Sequence, residues 1–187
     1  MTTFHGSNDH ANPPPADDSV PAMYTDQTAH PAPVHPKQAP EAKALEERLG
    51  ASRFSGEGFL GTDQRTVDQI IAADVRTIEQ LGITKTALLD ALRAAFEKAR
   101  AAFGGEVEIR PGLTAVAHES MGRIPSPFRG DGVFEKGDVV LKSATGEELV
   151  LTALGLALIE KHDFFQGHGS RYRIDPARAA HLLGLLP

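Results

Sequence analysis

The chain changes its hydrophobic period at Gly104-Gly105, and that switch limits the folds open to it. Before it, Leu88, Leu92, Phe96, Ala99 and Phe103 recur every three to four residues. That spacing predicts a helix over Lys85–Phe103 with one apolar stripe. After it, Val107 and Ile109 alternate with Glu106, Glu108 and Arg110, the period of a half-buried strand. Pro111-Gly112 turns the chain into a second short strand from Leu113 to Ala117, ending at His118-Glu119. Further short strands are expected at Val133-Phe134, Val139–Leu141 and Leu149–Leu151, with EKGD and SATGEE as turns. Short strands joined by tight turns point to an antiparallel meander.

Helices flank this meander on both sides in sequence. EAKALEERLG gives a short helix stopped by Gly50. Thr66 and Gln69 have capping-box spacing ahead of an apolar face of Val67, Ile70, Ile71, Ile78 and Leu81. Gly82 ends that helix and Thr84 caps the next, so the two form an αα-hairpin. Asp74 falls on the apolar face, where a carboxylate must find a partner or lose its charge. TALGLALIEKHDFF (152–165) is apolar almost all round and reads as a buried helix, although Gly155 leaves a longer strand through Ile159 as the alternative. Arg171–Ile174 is expected as a short strand, and Asp175-Pro176 starts a last helix through Leu183. The fold class is α+β: an N-terminal αα-hairpin packed with a small antiparallel β-meander and C-terminal helices. Leu88, Leu92, Phe96, Val107, Ile109, Val140, Leu149, Leu151, Leu158 and Ile159 are the expected core.

Residues 1–40 are of another kind. They hold eight of the thirteen prolines, four of the eight histidines and few large apolar side chains. Such a stretch cannot bury enough surface to offset its ordering entropy, so a disordered tail over 1–40 and a single α+β domain over 41–187 are expected. The net charge of −6 divides evenly, −3 in each part. An acidic chain with no basic block argues against nucleic acid as a partner. The absence of cysteine excludes disulfides, thiolate catalysis and zinc ribbons. No apolar run is long enough to span a membrane and the N-terminus has no secretory pattern, so a cytoplasmic protein is expected.

Candidate chemistry is confined to irregular segments. His118–Gly137 (HESMGRIPSPFRGDGVFEKG) interrupts two strand-like runs and is expected as an ordered functional loop anchored by Ile124, Phe128 and Phe134. With HDFFQGHGSRYR (162–173) it supplies Arg123, Arg129, Asp131, His162, His168, Arg171 and Arg173 as candidate ligand-binding residues. Guanidinium groups and glycine loops brought to one place form an anion site. The competing reading pairs these arginines with Asp131, Asp163 and Asp175 as structural staples. If there is a shared site, the two segments lie side by side at one sheet edge, over a floor of Phe128 and Phe164 or Phe165.

Other constellations are weaker. Gly56, Gly58 and Gly61 match G-x-G-x-x-G, but a helix precedes them and Glu57 would face a pyrophosphate; the plain reading is a connector anchored by Phe54 and Phe59. His118, Glu119, His162, Asp163 and His168 are possible metal ligands without any ligand spacing, so no metal is assigned. Ser126 or Ser170 with His162 could be drawn as a triad, yet Ser126 sits between two prolines and off any nucleophile elbow.

ESMGRIPSPFRGDGVFEKG together with KHDFFQGHGSRYRIDP resembles a group of small bacterial cytosolic proteins of unknown function, over roughly residues 43–184. The resemblance implies no activity, cofactor or catalytic residue. With no catalytic motif, the chain is expected to be a noncatalytic binding or regulatory module whose partner is a protein or a small anionic ligand. The alternative is an enzyme acting on a phosphate- or carboxylate-bearing small molecule at the Arg/His loops.

Overall fold

The Thr66 hydroxyl accepts from the Gln69 N–H while the Gln69 side chain accepts from the Thr66 N–H, and α2 (Val67–Gln80) starts from that capping box. In the computed structural model, which describes residues 39–51 and 56–186, α1 (Ala39–Leu49) precedes it. The expected tail lies outside the described residues apart from Ala39 and Pro40, which open α1; so does Phe54. Thr84 caps α3 (Lys85–Ala101), Thr152 caps α4 (Ala153–His162), and Asp175 with Pro176 at the first turn starts α5 (Pro176–Leu183). Four described strands, β1 (Val107–Arg110), β2 (Leu113–Pro125), β3 (Val133–Ser143) and β4 (Glu148–Leu151), form one sheet in the order β1-β2-β3-β4, antiparallel throughout. The α+β class and the meander are as the sequence predicts.

Two apolar clusters organise the packing. In the first, Leu113, Ala115, Ala117, Val139, Leu141, Leu149 and Leu151 of the sheet meet Leu88, Leu92, Ala95 and Ala99 of α3. The second gathers Leu49 of α1, Val67 and Ile70 of α2, and Phe164, with Ile124, Phe128 and Phe134 against it. Helix α4 lies between them, giving Leu156 and Ile159 to the first and Leu154 and Leu158 to the second. That double duty is why its sequence is apolar almost all round. Burying a side chain such as Leu158 or Phe164 contributes about 1.5–3 kcal/mol.

The segment read as a loop over His118–Gly137 is mostly strand. β2 runs on to Pro125 and β3 begins at Val133, so only residues 126–132 form the turn. EKGD lies inside β3. Between the pairs Glu119↔Gly137 and Arg123↔Glu135, Ser120–Gly122 bulge out of the ladder and leave Met121 almost wholly exposed. The buried face changes across the bulge. Before it Ala115 and Ala117 point to the first cluster; after it Ile124, with Phe134 opposite, packs on the second. Gly137 stands across from the bulge at φ +128°, where a Cβ would meet the His118 carbonyl at 2.9 Å.

Other expectations shift for physical reasons. Val140 is only half-buried because Val139 and Leu141 take the inward positions. Phe96, Val107 and Ile109 are partly buried at the margin of the first cluster. Phe103 is 90% exposed: α3 ends at Ala101 with Ala102 as its C-cap, and Phe103 enters the left-handed region at φ +49° and leaves the stripe. Arg171–Ile174 is turn and coil, not strand.

Gly137→Ala should destabilise the protein by at least about 1 kcal/mol, since the substitution combines a disfavoured φ with a backbone clash. Urea denaturation tests this; the midpoint should fall while the denaturant slope stays unchanged.

Candidate functional site

The seven residues expected to converge are distributed over separate places. Asp131 and His162 do meet. His162 Nε2 lies 2.7 Å from Asp131 Oδ2, Lys161 Nζ is 3.4 Å from Oδ1, and the Ser126 hydroxyl donates to Oδ2 at 3.2 Å. The His162 ring stacks on Phe128 at 3.8 Å between centroids, and Phe128 meets Phe164 edge-on at 6.0 Å. The expected floor beneath the two segments is therefore present. Burial works against the charge of Asp131, but the hydrogen bond and charge of His162, with Ser126 and Lys161, outweigh it and lower its pKa. This cluster is no nucleophilic triad. Ser126 donates to the acid rather than to the histidine, so the Ser-His-Asp order of a triad is absent. Its geometry pins the 126–132 turn to the end of α4.

The arginines serve four different places. Arg173 is withdrawn into the body: its Nη1 and Nη2 donate to Asp74 at 3.1 and 2.7 Å, and Nη1 also bonds the Gln166 carbonyl. Asp74 is thereby supplied with the partner its place on the α2 apolar face required. Arg171 is 69% exposed, 3.8 Å from Asp138, on the rim of a groove. Arg123 borders a separate depression with Arg100, Glu119 and Met121. Arg129 is exposed and makes no hydrogen bond or ion pair among the described residues. The His168 side chain is exposed as well, while its backbone is fully used: its N–H donates to Asp63 at 3.0 Å and its carbonyl accepts from the Thr62 N–H at 2.9 Å. Among the described residues no three His, Cys, Asp or Glu side chains gather as metal ligands would.

The groove has a volume of about 660 Å³, within the usual range for ligand sites. Phe59, Ile124 and Leu154 give it an apolar lining; Glu135–Asp138 of β3, the Gly56–Phe59 turn, Thr152, Gln166, Arg171 and Tyr172 complete it. Two loops build one wall, and they join through backbone. Phe59 donates to the Leu49 carbonyl at 2.8 Å, Gly167 to the Phe59 carbonyl at 2.8 Å, and Thr62 to that of His168. The approach is so close that a Cβ on Gly61 would lie 2.2 Å from the Ser170 nitrogen, and one on Gly167 2.2 Å from the Leu60 carbonyl oxygen. Of the glycines in the G-x-G-x-x-G match Gly61 has this use, while Gly58 packs on the Leu49-Gly50 backbone and nothing lies within 4 Å of a Cβ on Gly56. Asp63 fastens the junction, accepting from the Arg65 side chain and backbone and from the His168 N–H. The Arg65 hydrogen bonds outweigh burial and hold the Asp63 carboxyl far below the usual carboxylate range.

Gln166 is the residue sequence reasoning missed. It is 3% exposed, sits at φ +70°, and its Oε1 accepts from the Ser170 hydroxyl at 2.8 Å. Its Nε2 donates to nothing among the described residues although Gln166 borders the groove. Beside it is the N-terminus of α4: a Cβ on Gly155 would stand 3.7 Å from that Nε2. Thr152 takes the Gly155 N–H, leaving those of Ala153 and Leu154 without acceptors among the described residues. An undonated amide, a helix N-terminus and the Arg171 guanidinium thus share one groove. No signal in the sequence marks Gln166; only the fold places it.

Comparison with known proteins gives no match, whether to a family model, a curated protein or a solved structure.

Two outcomes are expected. Arg173→Ala should cost about 3–5 kcal/mol, because it strands a buried carboxylate. The double variant with Asp74→Ala should cost less than the sum of the singles, as a double-mutant cycle would report. For Asp63 the folded pKa lies below the unfolded one, so its contribution is fully present above roughly pH 4 and is lost as pH falls through the folded value. Asp63→Ala should therefore cost about 2 kcal/mol at neutral pH. Denaturation at successively lower pH should show this deficit shrinking below about pH 4.

Proposed function

We propose that the protein is a noncatalytic binding module whose ligand presents a carboxylate to the groove at the start of α4. The observation that carries this reading is Gln166, buried, held at positive φ, and bordering the groove with an undonated Nε2. A non-glycine residue in that conformation carries local strain, and strain of this kind gathers at ligand sites. Among the described residues Arg173 Nε is the buried side-chain atom left without a partner, whereas the Gln166 amide keeps contact with solvent and so is open to an acceptor in the groove. A carboxylate would accept from Nε2 and from the free N–H groups of the first turn of α4, where the helix dipole favours negative charge. Arg171 stands at the rim to pair with it, and the apolar lining of Phe59, Ile124 and Leu154 would hold an aliphatic or aromatic body.

Of the seven residues singled out from sequence, this reading uses Arg171. His162 and Asp131 are assigned to anchoring the 126–132 turn, and Arg173 to supporting Gln166 from behind. No hydroxyl lining the described groove hydrogen-bonds to a carboxylate or an imidazole among the described residues, which supports the binding reading. An enzyme acting on an anionic small molecule is the competing assignment, and the same assay separates the two.

Thermal shift against carboxylates, sugar phosphates, nucleotides and divalent metals is the direct test. A ligand at 100 times its dissociation constant adds about 2.7 kcal/mol of stability. Monocarboxylates with an apolar body should protect the wild type, with the gain lost in Gln166→Glu and reduced in Arg171→Ala. Arg129→Ala should bind as wild type. Protection by phosphates that depends on Arg129, or turnover of any protecting compound, would replace the carboxylate reading with that of an enzyme at the arginine loops.

A further inference from the structure

One acid in the groove has too few partners for its position. Asp138 lines the groove with a side chain only 18% exposed. Its carboxylate accepts no hydrogen bond among the described residues, and the cation nearest it, Arg171, stands 3.8 Å away and is 69% exposed. A pair so loose and so wet contributes little, whereas a carboxylate drawn largely out of water favours a close donor. Strand register places this acid at the start of α4. Val139 and Leu151 are Cα partners, and Thr152 leaves β4 still extended at φ −131° and ψ 153°. Asp138 and Thr152 therefore come next across the two chains, at about the 4.8 Å spacing of paired strands.

We infer that the groove binds an apolar α-amino acid as its zwitterion, with the carboxylate at the α4 N-terminus and Gln166 and the ammonium on Asp138. This inference rests on the carboxylate reading above and names the class of molecule that carries the group. A ligand carboxylate at the first turn of α4 arrives beside Asp138. A simple anion would set two like charges close together there, which disfavours both. An ammonium on the adjoining carbon resolves the conflict, because it sits between the two carboxylates and donates to Asp138. Both charged groups of an α-amino acid hang from one carbon, which suits counter-groups about one strand spacing apart. The side chain on that carbon then has Phe59, Ile124 and Leu154 to pack against.

The charges around the groove balance for a ligand that is neutral overall. Glu57, Glu135 and Asp138 line it together with Lys136 and Arg171, and Glu135 is taken by Arg100 at 3.2 Å. Two acids then stand against two bases. A monoanion would leave one negative charge in excess and a phosphate monoester more, whereas a zwitterion leaves none. Arg171 can serve both carboxylates at once, since a guanidinium carries five N–H donors in a fixed fork. It would hold Asp138 in place from one side while pairing with the ligand from the other.

Titration calorimetry on the full chain, with the Gln166 side-chain amide followed by chemical shift, tests this with L-leucine and three analogues. 4-Methylpentanoate lacks the amine, N-acetyl-L-leucine has it neutralised, and L-leucinamide lacks the carboxylate. L-Leucine should shift Gln166 and bind at least about tenfold more tightly than each analogue, the scale of one hydrogen bond between charged groups. In Asp138→Asn the preference for L-leucine over 4-methylpentanoate should vanish, while 4-methylpentanoate binds at least as well as to the wild type. Should that variant fail to fold, the comparison of ligands on the wild type still decides. If 4-methylpentanoate shifts Gln166 and matches L-leucine, the ammonium site is wrong and the carboxylate reading stands. A preference for L-leucine that survives Asp138→Asn overturns the role given to Asp138. Equal binding by L-leucinamide overturns the carboxylate anchor. If neither L-leucine nor 4-methylpentanoate binds at millimolar concentration, both readings fall.

Discussion

The buried pair of Asp74 and Arg173 is the interaction on which the rest of this architecture hangs. One guanidinium joins α2 to a loop 99 residues further along the chain and also grips the Gln166 carbonyl. Desolvating two ions is expensive, and such a pair often contributes little net stability compared with an apolar replacement. Its value here is geometric. The pair decides where the segment between α4 and α5 lies, and so where Gln166 points. Arg173 Nε is buried without a hydrogen-bond partner among the described residues, an uncompensated cost accepted alongside that placement.

From this tether the groove follows in steps. α4 is fixed by apolar contact on both sides, and Asp163 closes it in the left-handed conformation at φ +54° with Lys85 2.6 Å away. The chain then enters Phe164 and Phe165, both fully buried, one in each apolar cluster. Two large side chains driven in opposite directions leave little freedom for the backbone after them, and Gln166 takes up the bend at positive φ. The groove's donors are thus positioned by packing and by the ion pair before any ligand arrives. That is the arrangement which lowers the ordering cost of binding.

Much of this was legible where the physics is local. Thr66 with Gln69, Thr84, and Asp175 with Pro176 announce their helices through capping chemistry that needs only neighbours in sequence. The α3 stripe reads correctly up to Ala99. Asp74 could be recognised as needing a partner, but a partner 99 residues away leaves no local trace. The hairpin was misread because its buried face changes at the bulge: Ala115 and Ala117 are followed by an inward Ile124, which breaks the alternation that identifies a strand. In the apolar run Val139–Leu141 alternation has nothing to act on, and the inward positions went to its two ends. The arginines looked like one site because they share two segments, whereas burial separates Arg173 from Arg171 although only Tyr172 lies between them. Gln166 carries no pattern at all; its importance comes from a conformation and an unused donor.

The union of the 56–62 and 166–170 loops is made by main chain meeting main chain, with glycines where the two approach most closely. A wall assembled in that way holds its shape irrespective of which side chains hang from it. Tyr172 and Arg171 can change in size or charge without disturbing the seam, while Gly61, Gly167 and Gly169 within it leave no room for a Cβ. Selection could therefore retune what the groove prefers while leaving its frame intact, in the manner of a fixed mould with an exchangeable lining. Variation among relatives of this chain would then collect at the lining, and invariance at residues that never touch what is bound.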